Sequence, residues 1–165
     1  MTARFLSVLS FVFLLAAVTF AADEADLSTT VCTLEDGQEM SVRYTPVPAK
    51  EKVPNGKPWA PGGTPMLLFT TTGFILNNAN IPAGAFSLYV IPGGSHWTLI
   101  VNKDVAPGAK YDEHQDIARA PMDLGQVSGG GSAKLDVAFA HMGPKLCNIR
   151  IYYGKVGAWT DFRQQ

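Results

Sequence analysis

The residues best suited to chemistry lie in one short polar stretch, Tyr111-Asp112-Glu113-His114-Gln115-Asp116, followed by Arg119. A histidine beside carboxylates is the material of general acid–base catalysis, because its ordinary pKa lies near neutrality and a carboxylate can orient its ring. That pattern would suit a hydrolase or a metal-dependent enzyme using His114 with Asp112 or Asp116. The competing reading is a solvated loop in which Asp112, Asp116 and Arg119 form a salt bridge that fixes the backbone. Oxygen ligands clustered on a loop would also suit a weak calcium site.

The remaining histidines add little to this. His96 begins a strand beside a turn, and His141 ends a strand next to Met142. Three histidines are the fewest that build a catalytic zinc site, but no two here are spaced as ligands on one element. A copper site using His141, Met142 and His96 would want a cysteine ahead of them on one loop, whereas Cys147 follows. No Gly-x-Ser-x-Gly elbow occurs. Ser128-Gly129-Gly130-Gly131-Ser132 reads as a flexible turn, because it lacks the strand-to-helix setting of an oxyanion or phosphate loop. The sequence therefore assigns no catalytic residue, no metal ligand and no cofactor.

Aromatic residues suggest recognition instead. Trp59 sits in a proline-rich loop, and Trp159 follows the glycines that frame the last turn. An exposed Trp on the loops of a β-sandwich can stack on sugar rings or anchor a partner, because it offers a large apolar face at little entropic cost. The plainer reading makes both of them caps on the ends of the core. Trp97 alternates with Leu99 and Val101 and reads as core. A ligand site is expected where the Trp59 loop meets the Tyr111–Arg119 segment. Trp59 would stack there, Asp112 and Arg119 would anchor polar groups, and Tyr111 and His114 would flank them.

Everything that must position these residues reads as strand. From Thr30 to Tyr44, alternating residues surround Glu35-Asp36-Gly37-Gln38, a strong hairpin signal. Residues 46–65 are broken by prolines and glycines and must form a long surface excursion. Phe86, Leu88 and Val90, then Trp97, Leu99 and Val101, alternate on either side of Pro92-Gly93-Gly94-Ser95. The only short helical turn falls at Tyr111–Gln115. Further strands run over Ile117–Leu124, around Leu135, Val137 and Phe139, and around Ile149, Ile151 and Tyr153. The pattern predicts an all-β chain with very little helix, an antiparallel, jelly-roll-like β-sandwich of about eight or nine strands.

The compartment is legible at the N-terminus. Arg4 precedes an apolar run from Phe5 to Phe20, and Thr19 and Ala21 supply the small residues of a cleavage site. A signal peptide over residues 1–21 and one β-sandwich domain over residues 22–165 are expected. The apolar run is shorter than the roughly 20 residues a bilayer demands, so no membrane span is expected after cleavage. Outside the cytosol, Cys32 and Cys147 read as a disulfide, against the alternatives of free thiols or metal ligands. Lys and Arg total 13 against 14 Asp and Glu, for a net charge of -1, which removes the basic footprint of a nucleic-acid binder.

Gly84-Ala85-Phe86-Ser87-Leu88-Tyr89-Val90-Ile91-Pro92-Gly93, Trp97-Thr98-Leu99-Ile100-Val101-Asn102-Lys103, and then Tyr111-Asp112 with Asp116 and Arg119 carry a resemblance. The chain resembles the bacterial exported domain-of-unknown-function family number 2911 over most of its length past the leader. The resemblance implies a β-rich, exported, periplasmic or secreted protein with no assigned activity. One segment departs from it. Where the family tends to show Trp-Arg-x-Gly-x-Asn-Glu, this chain reads Trp59-Ala60-Pro61-Gly62-Gly63-Thr64-Pro65, so any chemistry done by those polar groups in relatives is missing here. The expected function is a non-catalytic binding or structural module of the envelope. Its partner would be a small molecule, a glycan or an envelope protein.

Overall fold

Side chains that alternate between apolar and polar cannot all be buried by a helix, so each such run buries one side of a pleat. The structure, a computed structural model, describes residues 27–165. The leader assigned to residues 1–21 lies outside them. In chain order the strands are β1 (Ser28–Thr33), β2 (Glu39–Tyr44), β3 (Met66–Thr70), β4 (Phe74–Leu76), β5 (Ala79–Ile81) and β6 (Gly84–Ile91). They continue as β7 (Trp97–Asn102), β8 (Asp116–Gln126), β9 (Ser132–Gly143), β10 (Leu146–Gly154) and β11 (Val156–Gln164). Among the described residues, helix is confined to three short 3-10 turns at Pro61–Gly63, Glu113–Gln115 and Ser128–Gly130.

All pairings are antiparallel, along the path β1-β2-β3-β6-β7-β8-β11-β10-β9, and the path does not close into a barrel. The β4–β5 hairpin hangs on β11. Among the described residues eleven strands form where about eight or nine were expected, partly because Asn77 and Asn78 turn the chain within a few residues. Both adopt positive φ, 46° and 68°, a conformation Asn tolerates better than most residues. β8 is the corner between the layers. Asp116–Met122 pairs with β7, whereas Asp123–Gln126 pairs with β11.

Met40, Leu68, Leu88 and Leu99 of the first layer meet Phe74, Ile149, Ile151 and Phe162 of the second, all fully buried. Simple alternation fails on β6 and β7, where Ser87, Tyr89, Ile100 and Asn102 are buried as well. The cause is the segment 103–115, which lies across their outer side. Ser87 Oγ donates to the Asp104 carbonyl, Tyr111 packs edge-on to Tyr89 at 5.0 Å, and Asn102 Nδ2 donates to the Asp112 carbonyl.

The proline-rich excursion closes one end of the sandwich. Trp59 forms a one-residue bridge with Val90, and Pro48 with Lys134. The Trp59 ring packs edge-on to Trp97 of the first layer, at 6.3 Å, and to Tyr153 of the second, at 4.9 Å. Cys32 on β1, at one end of the strand path, and Cys147 on β10, next to the other end, form a disulfide across 115 residues of sequence. One local expectation is corrected. Gly154 and Lys155 make the last turn, while Gly157 and Trp159 lie within β11, paired with Tyr152 and Arg150.

Candidate functional site

The segment expected to carry a site folds into two separate arrangements. The first is a latch. The Asp116 carboxylate, nearly buried at the start of β8, accepts hydrogen bonds from Asn102 Nδ2 (2.8 Å), Tyr111 Oη (2.7 Å) and Arg119 Nε (2.8 Å). Arg119 Nη2 donates to Tyr111 Oη at 2.8 Å. Burial first, and then the bond and charge of Asp116, push the Tyr111 phenol up to about 12. These groups bind each other and hold segment 103–115 against β7.

The second arrangement is a solvent-facing pair. Asp112 caps the short turn at Glu113–Gln115, accepting from the His114 backbone N–H at 3.0 Å and meeting His114 Nδ1 at 2.9 Å. The backbone N–H of His114 is the leading reason that Asp112 titrates below the ordinary range, and Asp112 in turn raises His114. The side chain of His114 is 85% exposed. Nothing encloses a substrate there, and Asp116 has turned inward to its own partners. His96 lies at the β6–β7 turn beside Ser95, and His141 is exposed on β9. Among the described residues, no His, Cys, Asp or Glu side chains form a group of three able to hold a metal ion.

Trp59 and Tyr111 come to the same stretch of surface. With Pro58, Tyr89 and Lys110 they line a depression of about 440 Å3, whose walls do not include Asp112, His114 or Arg119. Trp59 contributes there only what its packing between Trp97 and Tyr153 leaves free.

A larger depression, about 710 Å3, lies on the outer face of the second layer, with a neighbour of about 440 Å3 that shares Met142, Asn148 and Trp159. Its floor follows from register. Tyr152, Gly157 and Gly125 align across β10, β11 and β8, and the next row is Arg150, Trp159 and Asp123. Two outward glycines side by side leave a trough, and the aromatic rings lie over it. A Cβ on Gly125 would stand 2.7 Å from Trp159 Cη2, and one on Gly157 would stand 3.1 Å from Tyr152 Cδ1. Each ring thus rests with one edge against a glycine, and both rings line the depression.

Polar groups border the rings in a chain. Arg150 Nε donates to Asn148 Oδ1 at 2.9 Å, and Asn148 Nδ2 donates to Asp161 Oδ1 at 2.8 Å. Arg150 forms no salt bridge among the described residues. Met142, 55% exposed, forms a soft apolar rim. Among these groups the sequence had singled out only Trp159 as a stacking residue. Gly125 and Gly157 signal the trough, but their meaning depends on which strands lie beside them.

A family model described as a protein of unknown function (DUF2911) matches residues 28–159, from the first strand to Trp159. No curated protein and no solved structure matches the chain.

Proposed function

The chain belongs to the DUF2911 family, and from that premise we propose that it is a non-catalytic binding module of the bacterial envelope whose ligand seats in the Trp159 trough. The observation that carries this reading is the pair of rings, Trp159 and Tyr152, resting on glycines beside a guanidinium that forms no salt bridge among the described residues. Ligand sites combine apolar faces with a few convergent polar groups in a concave surface, and this depression has that composition. The residues best suited to acid–base work give less support to a hydrolase. His114 and Asp112 face solvent, and Asp116, Tyr111 and Arg119 satisfy one another. The Cys32–Cys147 disulfide supports a periplasmic or secreted location, because such bonds persist in oxidising compartments.

A thermal-shift screen of envelope glycans, divalent metals and small metabolites tests the reading. A ligand selective for the native state raises the melting temperature by mass action. The expected result is stabilisation of the wild type by at least one compound, lost in Trp159→Ala and kept in His114→Ala. Stabilisation that survives Trp159→Ala moves the site elsewhere.

A further inference from the structure

Resting on the trough as a binding site, we propose that its ligand is an uncharged glycan, held by stacking on Trp159 and Tyr152 and by hydrogen bonds along Arg150, Asn148 and Asp161. The charges select the ligand. Arg150 stands at one end of the polar chain, and Asp161 stands at the other with Asp123 in the adjoining depression. A strongly anionic ligand would meet the two carboxylates, and a cationic one would meet the guanidinium. A hydroxyl group both donates and accepts, so a polyol suits a row that offers a donor at one end, an amide in the middle and an acceptor at the other.

The rings complete the match. One side of a sugar ring presents C–H groups, which pack on an aromatic face, while its hydroxyls project around the rim. Trp159 and Tyr152 line the depression from neighbouring strands and rest on Gly125 and Gly157. Asn148 is 6% exposed and already bonded on both sides, so its amide is fixed before a ligand arrives. Fixing polar groups in advance reduces the ordering cost of binding. The two depressions share Trp159 and continue past it, which favours a chain of sugar units over a single ring.

Affinity electrophoresis of the disulfide-bonded protein tests this, using native gels cast with soluble mixed-linkage glucan, xylan, galactomannan, anionic polygalacturonate or cationic chitosan. At least one neutral polysaccharide should retard the wild type. Trp159→Ala should weaken that retardation roughly tenfold, the scale of one aromatic stacking contact. Gly125→Ala, which keeps the indole but displaces it, should weaken it as well, and Trp59→Phe should not. A folded wild type that migrates freely through all the neutral gels, or is held only by polygalacturonate or chitosan, overturns the glycan assignment. If a non-glycan metabolite then stabilises the wild type but not Trp159→Ala, the trough remains a binding site and only the ligand class falls. If no compound separates wild type from Trp159→Ala, both readings fall.

Discussion

Trp159 and Gly125 sit on paired strands two positions out of register, and the indole of Trp159 fills the space that a side chain on Gly125 would need, 2.7 Å from Cη2. Gly125 has no left-handed backbone that would strain an alanine. The cost of Gly125→Ala is therefore the displacement of the ring. A melting-temperature loss of about 2 to 4 °C, near 1 kcal/mol, is expected by calorimetry. The emission of Trp159 should shift with it, because the ring is pushed into water. Unchanged emission would show that the indole does not rest on this glycine.

The two loop-assigned tryptophans separate by their effects. Trp59 packs edge-on to Trp97 and Tyr153 across the end of the sandwich, so Trp59→Ala should cost about 3 kcal/mol in urea unfolding, the lower range for removal of a large aromatic. Trp159→Ala should cost less than about 1 kcal/mol, since Trp59 packs against the buried core and Trp159 does not. Equal losses would mean that Trp159 also serves the core.

The disulfide joins the first strand of the sheet path to the last but one and closes 115 residues. Chain-entropy arithmetic gives such a closure about 4 to 5 kcal/mol, so Cys32→Ala with Cys147→Ala should remove roughly that much from the unfolding free energy. Both cysteines are buried, at 3% and 0% exposure. Reductant should therefore act on the native protein only as fast as it opens, which thiol trapping with and without denaturant measures.

Alkaline pH should weaken the latch. Tyr111 titrates at about 12 in the fold against an ordinary 10.0, chiefly because it is buried. Its proton is thus bound more tightly in the folded state. The stabilisation is complete below pH 10 and is lost as pH rises toward 12. Phenolate absorbance should place one tyrosine midpoint near 12, and Asp116→Asn should lower it by removing the neighbouring negative charge. The same variant should cost roughly 2 kcal/mol at neutral pH, because a nearly buried carboxylate loses charged hydrogen bonds.

His114 and Asp112 give a titration without much stability. Asp112 raises His114 above 6.5, so the pairing is present below that value and fades as pH rises through the folded midpoint. Asp112 is lowered from 3.8, so its share is present above that value and is lost as pH falls through its own depressed midpoint. The pair therefore acts between the two midpoints. NMR titration should show a raised His114 midpoint that returns toward 6.5 in Asp112→Asn, with little change in melting temperature because both groups face solvent.

Much of the fold could be read from short stretches. Asp36-Gly37 marked the β1–β2 turn, the alternation around Trp97 marked β7, and the proline-rich segment proved to be the expected long connection. The polar stretch was harder to read. Asp116 looks solvated beside Glu113 and His114, yet Asn102 approaches it from β7 and draws it inward. Tyr89 and Ile100 look outward by alternation, yet segment 103–115 covers them.

What the sequence determined by itself was the strand character and the hairpins, because pleat alternation and turn chemistry act within a few residues, and the connectivity of its one disulfide, because it holds only two cysteines. Only the tertiary structure decided that β8 leaves β7 to lie beside β11. That contact brings Gly125 under Trp159 and aligns Gly157 with Tyr152. A one-residue slip of register would turn these side chains to the opposite face, so the trough exists only through pairings between distant segments.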